Sequence, residues 1–209
     1  MPAVKSLKRN KLTRVLFIAS LFFLIASFLI LILTYQPVVL EELKYAIKRP
    51  QTQIVPQDKE FGIVIPKINA NAKIVRDVDP YIASIYQPAL AQGVAHAFGT
   101  GLPGEKANIF LFAHSSGNWY QANRYNSVFY LLYKLKPKDE IQVYFINSLF
   151  KYQVQSLEYV EPDRIDYLSR ESAEETLTLM TCWPPGTTQK RLILKAKRII
   201  DWITSFRPW

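Results

Sequence analysis

The chain holds one cysteine, Cys182, at the end of the strand-like run TLTLMTC (176–182). The residues WPPG follow at once, and prolines cannot extend a hydrogen-bonded ladder, so the chain turns there. A thiol at a strand end stands at the rim of a sheet, where reactive groups are commonly held on a rigid scaffold. As a thiolate it is a nucleophile, and it needs a base or proton carrier nearby. The chain has two histidines. His114 closes the run NIFLFAH, another strand end, whereas His96 lies in the Gly/Pro-rich stretch GVAHAFGTGLPGE. Position favours His114 as the partner. Arg191 opens the run RLILKAKRII nine residues after Cys182. The two would then stand on adjacent strands near one rim, where a fixed guanidinium can orient a carbonyl or stabilise an oxyanion. Lys190 beside it reads as an ordinary solvated charge. Trp119, Tyr120 and Trp183 lie in loops near these groups, where they either line a groove for an extended peptide or pack the rim. The competing readings are structural: a histidine held by hydrogen bonds, and a cysteine that fills a gap or bridges two copies of the chain.

Other chemistries find no support. One cysteine and two separated histidines lack metal-ligand spacing. No phosphate-cradling glycine loop opens a helix, and there is no G-x-S-x-G elbow. No metal or cofactor is therefore expected. The net charge is +9, of which residues 1–14 carry +5. The remaining +4 is too small and too scattered for nucleic acid to be a partner.

The elements that must position these groups are short and β-like. Apolar or alternating runs span 61–66, 72–75, 107–114, 140–146, 151–160, 175–182 and 191–200, divided by turn residues. Runs 140–146 and 151–160 predict a hairpin. Helices are predicted at 79–90, with Asp79 as N-cap and Pro80 in first position, at 126–135, and for one or two turns at 163–172. About seven strands with minor helices predict a mainly β domain, a closed or nearly closed barrel.

Ahead of this domain, residues 15–33 (VLFIASLFFLIASFLILIL) carry no charge, and only Ser20 and Ser27 are polar. That length suits one bilayer-spanning helix of about 20 residues. A cleaved signal has an apolar core of only about 7–15 residues and a small-residue cleavage site, which TYQPVVLEEL lacks. An uncleaved anchor is the expectation. Lys5, Lys8, Arg9, Lys11 and Arg14 precede the span, and Glu41 and Glu42 follow it. Positive-inside bias keeps the N-terminus cytoplasmic and exports the rest. The organisation expected is a basic stub (1–14), an anchor (15–34), a stalk with a short helix at EELKYAIK and a proline-bearing linker (35–60), a folded domain (61–200) and a tail (201–209). An exported lone cysteine has no internal disulfide partner.

These residues resemble the sortase family. TLTLMTCWPPGTTQKRLIL is similar to its T-L-x-T-C hallmark, with an arginine about nine residues on. GTGLPGEKANIFLFAH resembles the segment leading into the family's catalytic histidine, IPKINANAKIV its domain opening, and VFYLLYKLKPKDEIQVYF the segment after the histidine. The resemblance covers about residues 60–200. It implies an eight-stranded sortase-type β-barrel with Cys182 as nucleophile and acyl-thioester carrier, His114 as general acid/base and Arg191 at the oxyanion. It implies that Thr181, Trp183 and Ser115 adjoin the substrate. It also implies a membrane-anchored thiol transpeptidase that cleaves an L-P-x-T-G-like sorting signal on surface proteins. The acyl group would pass to an amine, on a peptidoglycan precursor or a pilin lysine. The family usually has Gly-His-Arg where this chain has Ala113, His114 and Ser115, and often Gly-Asp where it has Lys138 and Asp139. GTGLPGE and the short WPPGTTQK loop resemble classes D and E. The alternative functions are a catalytically silent envelope barrel that binds other proteins, and an assembly subunit that dimerises through Cys182.

Overall fold

The structure, a computed structural model, describes residues 11–47, 54–115 and 128–200. They belong to two units that divide after Ile47. The first is one helix, α1 (Lys11–Ile47). Its stretch Thr13–Leu33 is long and apolar enough to cross a membrane. The hydroxyls of Ser20 and Ser27 donate back to the carbonyls of Phe17 and Leu24, at 2.8 and 2.9 Å. The polar atoms of the apolar run thus find partners within the helix itself, as a lipid environment demands. The separate short helix expected at EELKYAIK is instead the last part of α1, which runs unbroken through Pro37.

The second unit is a barrel of eight strands: β1 (Phe61–Ile65), β2 (Ala70–Val78), β3 (Val94–Ala97), β4 (Asn108–Phe112), β5 (Glu140–Phe145), β6 (Ser148–Val160), β7 (Thr176–Trp183) and β8 (Lys190–Ile199). It closes in the order β1-β2-β3-β4-β7-β8-β6-β5. Pairs β2/β3 and β4/β7 are parallel, and the others are antiparallel. Closure leaves no open edge. Side chains alternate along each strand, so Ile63, Leu111, Leu179 and Leu194 fill the lumen, with Tyr152 buried among the largest. Seven of the strands match apolar runs of the sequence. The eighth, β3, lies in the Gly/Pro-rich stretch that sequence marks as loop. Its four residues Val94–Ala97 are buried on both faces, which removes the alternation that would announce a strand.

The helices depart further from expectation. α2 (Ala83–Leu90) begins three residues later than the predicted first position, Pro80, with Ile82 as an uncapped N-cap and Pro88 inside the helix. Asp79 turns its carboxylate to the Tyr81 amide instead, at 2.8 Å, closing a local turn that competes with capping. The helix expected at 126–135 is, within the described residues, a turn followed by a 3-10 segment Leu132–Lys134. That at 163–172 is a 3-10 segment Asp166–Leu168.

An arm, residues 54–60, crosses the outer face of β1. Asn71 holds it like a second backbone, accepting from the Gln57 amide at 2.8 Å and donating to the Val55 carbonyl at 2.8 Å. The β5–β6 turn adds amides of Ile146 and Asn147 to the carbonyls of Glu60 and Lys59. The Asp58 carbonyl sits where a Cβ on Gly62 would lie, so only glycine admits the arm. Alanine normally strengthens a strand relative to glycine. Here Gly62→Ala overpacks a backbone contact, and a cost of about 2 kcal/mol is expected. In calorimetry this lowers Tm by roughly 4–8 °C. An unchanged or raised Tm would show that the arm does not close on β1.

Candidate active site

Register assembles the site. Cys182 is the direct antiparallel partner of Arg191. β7 also pairs in parallel with β4, from Asn108↔Thr176 to Phe112↔Met180. His114 and Cys182 lie two residues beyond that last pair on their respective strands. Contact continues past the end of β4: the Ala113 amide donates to the Met180 carbonyl at 3.2 Å, and the Thr181 hydroxyl donates to the Ala113 carbonyl at 2.8 Å. Neighbouring strands lie about 4.8 Å apart, so residues 114, 182 and 191 occupy three adjacent strand ends.

Alternation decides which of these face each other. Leu177, Leu179 and Thr181 are 0%, 0% and 2% exposed and point into the barrel. Cys182, Met180 and Thr178 therefore face outward. Leu192 and Leu194 are likewise internal, which puts Arg191 and Ile193 outside with the thiol. On β4, Ile109 and Leu111 point inward and Phe110 and Phe112 outward, and His114 carries the outward set one step further. Below the three groups, Phe112, Met180 and Ile193 form an apolar floor. Tyr86, Ala89 and Leu90 of α2 pack on it from one side, and Tyr167 and Leu168 of the β6–β7 loop pack on it too. Sequence reading missed this floor, although its signal is simple: Phe112 and Met180 are the i−2 neighbours of His114 and Cys182.

The three predicted substrate neighbours have different settings. Thr181 faces the lumen and acts through its hydrogen bond to Ala113, tying the strand end of the histidine to that of the cysteine. Trp183 lies on the face opposite Cys182, its ring 5.1 Å from both Tyr133 and Tyr159. Ser115 is buried at 3% exposure. Trp119 and Tyr120 fall outside the described residues.

His114 is half-buried, and desolvation by burial holds its imidazole below the ordinary value of 6.5. The neutral ring is thus favoured near pH 7. Arg191 donates from Nη1 to the carbonyls of Thr188 and Lys190, at 3.2 and 3.3 Å. The guanidinium is thereby braced on the loop that connects it to Cys182. His96 has a different setting. It shares the inward face of its register partner Leu111, is 0% exposed, and packs its ring against Phe61. Its Nδ1 accepts from the Asp77 amide at 3.3 Å. Its Nε2 meets the Gly101 carbonyl and the Thr100 hydroxyl, both at 3.0 Å. That hydroxyl donates onward to Ala97, so Nε2–H is the donor and the ring is the neutral Nε2–H tautomer. Burial is the main cause that holds His96 low. Both ring nitrogens are engaged inside the barrel, on the wrong side of the wall to meet Cys182. Among the described residues no group of three His, Cys, Asp or Glu side chains could hold a metal ion.

A thiol, an imidazole and a guanidinium on three neighbouring strand ends, above an apolar floor, suit acyl transfer through a thioester. Comparison with known proteins points the same way. A family model described as the sortase domain matches residues 63–199. Sortase D of Bacillus subtilis (strain 168) is 28% identical over 138 residues, which cover 65% of this chain and 61% of that protein. The match thus spans about three fifths of that relative's length. Three solved structures are also similar. Sortase C-1 from Actinomyces oris gives a TM-score of 0.58 at 26% identity, covering 79% of this chain and 97% of that one. A lid mutant of sortase A from Corynebacterium diphtheriae gives 0.57 at 25%, covering 74% and 77%. A Clostridium perfringens sortase D5 transpeptidase gives 0.55 at 25%, covering 76% and 93%.

Two measurements test this geometry. In an NMR titration both histidines are expected to show midpoints below 6.5, with His114 assigned by loss of its signal in His114→Gln. The sign for stability follows from linkage. Between the lowered folded value and 6.5 the unfolded chain binds more protons, so stability falls as pH drops through that window and recovers above it. A His114 midpoint at or above 6.5 would contradict its burial. Separately, Thr181→Val keeps shape but removes the donor to Ala113, at a cost of about 1 kcal/mol. Faster hydrogen exchange at the Ala113 amide should accompany a small fall in Tm. Unaltered exchange there would mean the hydroxyl does not tie the strand ends.

Proposed function

Because the chain belongs to the sortase family, we propose that it is a membrane-anchored cysteine transpeptidase acting on an L-P-x-T-G-like sorting signal. The observation that carries this reading is the direct cross-strand pairing of Cys182 with Arg191, with His114 at the end of the parallel strand beside them. Cys182 as thiolate attacks the carbonyl carbon of the Thr–Gly bond, and Arg191 neutralises the developing oxyanion. The C–N bond breaks as His114, in its imidazolium form, gives its proton to the leaving amine. A thioester on Cys182 and a neutral His114 remain. An incoming amine attacks the thioester and gives its proton to His114. The new amide leaves, and the thiolate and imidazolium are restored. Burial favours the neutral imidazole of His114 at rest.

The amine acceptor in this proposal belongs to a peptidoglycan precursor or a pilin lysine, and the donors are surface proteins bearing the signal. α1 serves as a single-pass anchor, with its basic N-terminal end in the cytoplasm and the barrel outside the cell. The GTGLPGE segment, the short loop after Cys182 and the likeness to a sortase D support class D or E character.

The test uses the full chain in detergent with an L-P-x-T-G-type peptide and a free amine, followed by mass spectrometry. A peptide–enzyme thioester and a peptide–amine product are expected, and Cys182→Ala should abolish both. Arg191→Lys loses the planar fork and is expected to lower kcat/KM by about 10²–10³. Product formation by the Cys182→Ala protein would sink the mechanism. A wild-type thiol that labels but never carries peptide would favour a binding module.

A further inference from the structure

The β6–β7 loop, residues 161–175, leaves the barrel at Val160, which is the register partner of Arg191. It then descends the outer wall to the start of β7. On the way Tyr167 and Leu168 pack onto the apolar floor below the thiol. A segment in that place is one wall of whatever groove leads to Cys182, and its position has to be fixed by something. The side chain that fixes it is Asn108, at the opposite end of β4 from His114.

Asn108 is 7% exposed, and all four of its side-chain hydrogen-bonding capacities are used. Its amide nitrogen donates to the carbonyls of Tyr167 and Ser169, both at 3.0 Å. Its amide oxygen accepts from the hydroxyls of Thr178 at 2.8 Å and Thr176 at 3.3 Å. Its backbone N–H adds a bond to the Arg170 carbonyl at 3.0 Å. The carbonyls are decisive for orientation. They can only accept, so Nδ2 faces the loop, and Oδ1 is left to accept from the threonine hydroxyls. Three consecutive-range carbonyls, 167, 169 and 170, are therefore bound by one residue. Arg170 adds a tie from the loop to the Thr100 carbonyl and to Glu105, both at 2.7 Å.

We propose that Asn108 is a positioning residue for substrate binding: it clamps the β6–β7 loop on the outer wall, so that the groove beside Arg191 and Cys182 is formed before the peptide arrives. Resting on the transpeptidase reading for its effect on substrate, the clamp itself can be measured without any turnover. It acts on capture of the peptide and leaves the three reacting groups untouched. The same two strands divide the work. β4 and β7 hold the loop at Asn108, Thr176 and Thr178, and about 13–20 Å further along the same face they hold His114 and Cys182.

The test compares wild type with Asn108→Asp, which keeps the size and still accepts from the threonines but sets a carboxylate oxygen against two carbonyls. Hydrogen exchange at the Leu168 and Ser169 amides is expected to quicken by about tenfold or more, while exchange within β4 and β7 holds. With peptide and amine, KM for the peptide is expected to rise about tenfold, with kcat at saturating peptide kept. Labelling of Cys182 by a small electrophile should not change. Thr178→Val, which removes the shorter of the two bonds to the amide oxygen, serves if Asn108→Asp does not fold, and should move both readouts the same way by less. Unchanged loop exchange in the folded variant overturns the clamp. Quickened exchange with an unaltered KM overturns the loop's role in capture, as does a fall in kcat alone. Absence of turnover in the wild type removes the transpeptidase reading instead, and loop exchange still decides whether Asn108 is the clamp.

Discussion

The parallel pairing of β4 with β7 is the constraint on which the rest depends. It joins segments 68 positions apart in the chain, as the bond from Thr181 to Ala113 records. Parallel neighbours cannot be linked by a tight turn and need a long connection. That connection here contains β5, β6 and the β6–β7 loop. The pairing thus forces the intervening chain to wrap round and close the barrel through β1 and β8. It also aligns two strand ends that run the same way, which is what lets a histidine and a cysteine emerge side by side. β8 then returns antiparallel from the turn after Cys182 and delivers Arg191 opposite it. Three side chains from two distant parts of the sequence meet because one strand, β7, has a parallel neighbour on one side and an antiparallel one on the other.

Much of this was legible in the sequence, and the legible parts share a cause. The strand ends at His114 and Cys182 were marked by polar or proline-rich residues that stop a ladder, and the Cys–Arg pairing followed from a short loop between two apolar runs. What was not legible depended on contacts from elsewhere. β3 is four residues of small apolar side chains and His96, buried on both faces by the lumen and by α2, so it shows neither alternation nor length. Asp79 looked like a helix cap because its neighbour is proline, but its carboxylate closes a turn on Tyr81 and the helix starts later. Trp183 was placed beside the substrate because it adjoins Cys182. The ladder extends through it to Lys190, so it points the other way and packs at a tilt against Tyr133 and Tyr159. Adjacency in sequence means opposite faces in a strand, and a residue at i−2, such as Met180, is the better guide to what lines a site.

The two histidines show the same lesson in electrostatic form. Burial lowers both, yet by different settings. His96 is enclosed, with each ring nitrogen given a fixed partner; the Asp77 carboxylate 3.5 Å from Nδ1 favours a second proton, but burial outweighs it. It is a satisfied core group, and the bond it makes to Thr100 links β3 to the loop that follows. His114 stands outside the wall, half-buried, at a strand end, with no hydrogen bond to its ring among the described residues. A proton carrier has to be able to release and regain its proton, and a ring with both nitrogens committed inside a packed lumen is poorly placed to do so. Position at a strand end favours His114 over His96 in the sequence, and the structure sets the two rings on opposite sides of the barrel wall.

A small barrel whose lumen is filled by side chains has no room for a substrate inside it. Chemistry must then sit on the outer wall, where a sheet by itself offers a shallow surface. The walls of a groove have to be supplied by what lies between strands: α2 in the β2–β3 crossover, and the β6–β7 loop. Both connections precede a strand that runs parallel to its neighbour, β3 beside β2 and β7 beside β4. The topology that aligns His114, Cys182 and Arg191 therefore also generates the long connections that can flank them. Such connections carry few backbone partners of their own, and a polar side chain on the sheet's outer face, such as Asn108, supplies what the ladder cannot. A buried amide with every capacity used is costly to misplace, which fixes the loop on the sheet with one orientation. The outer wall is thus as specified as the core, by hydrogen bonds where the core relies on packing.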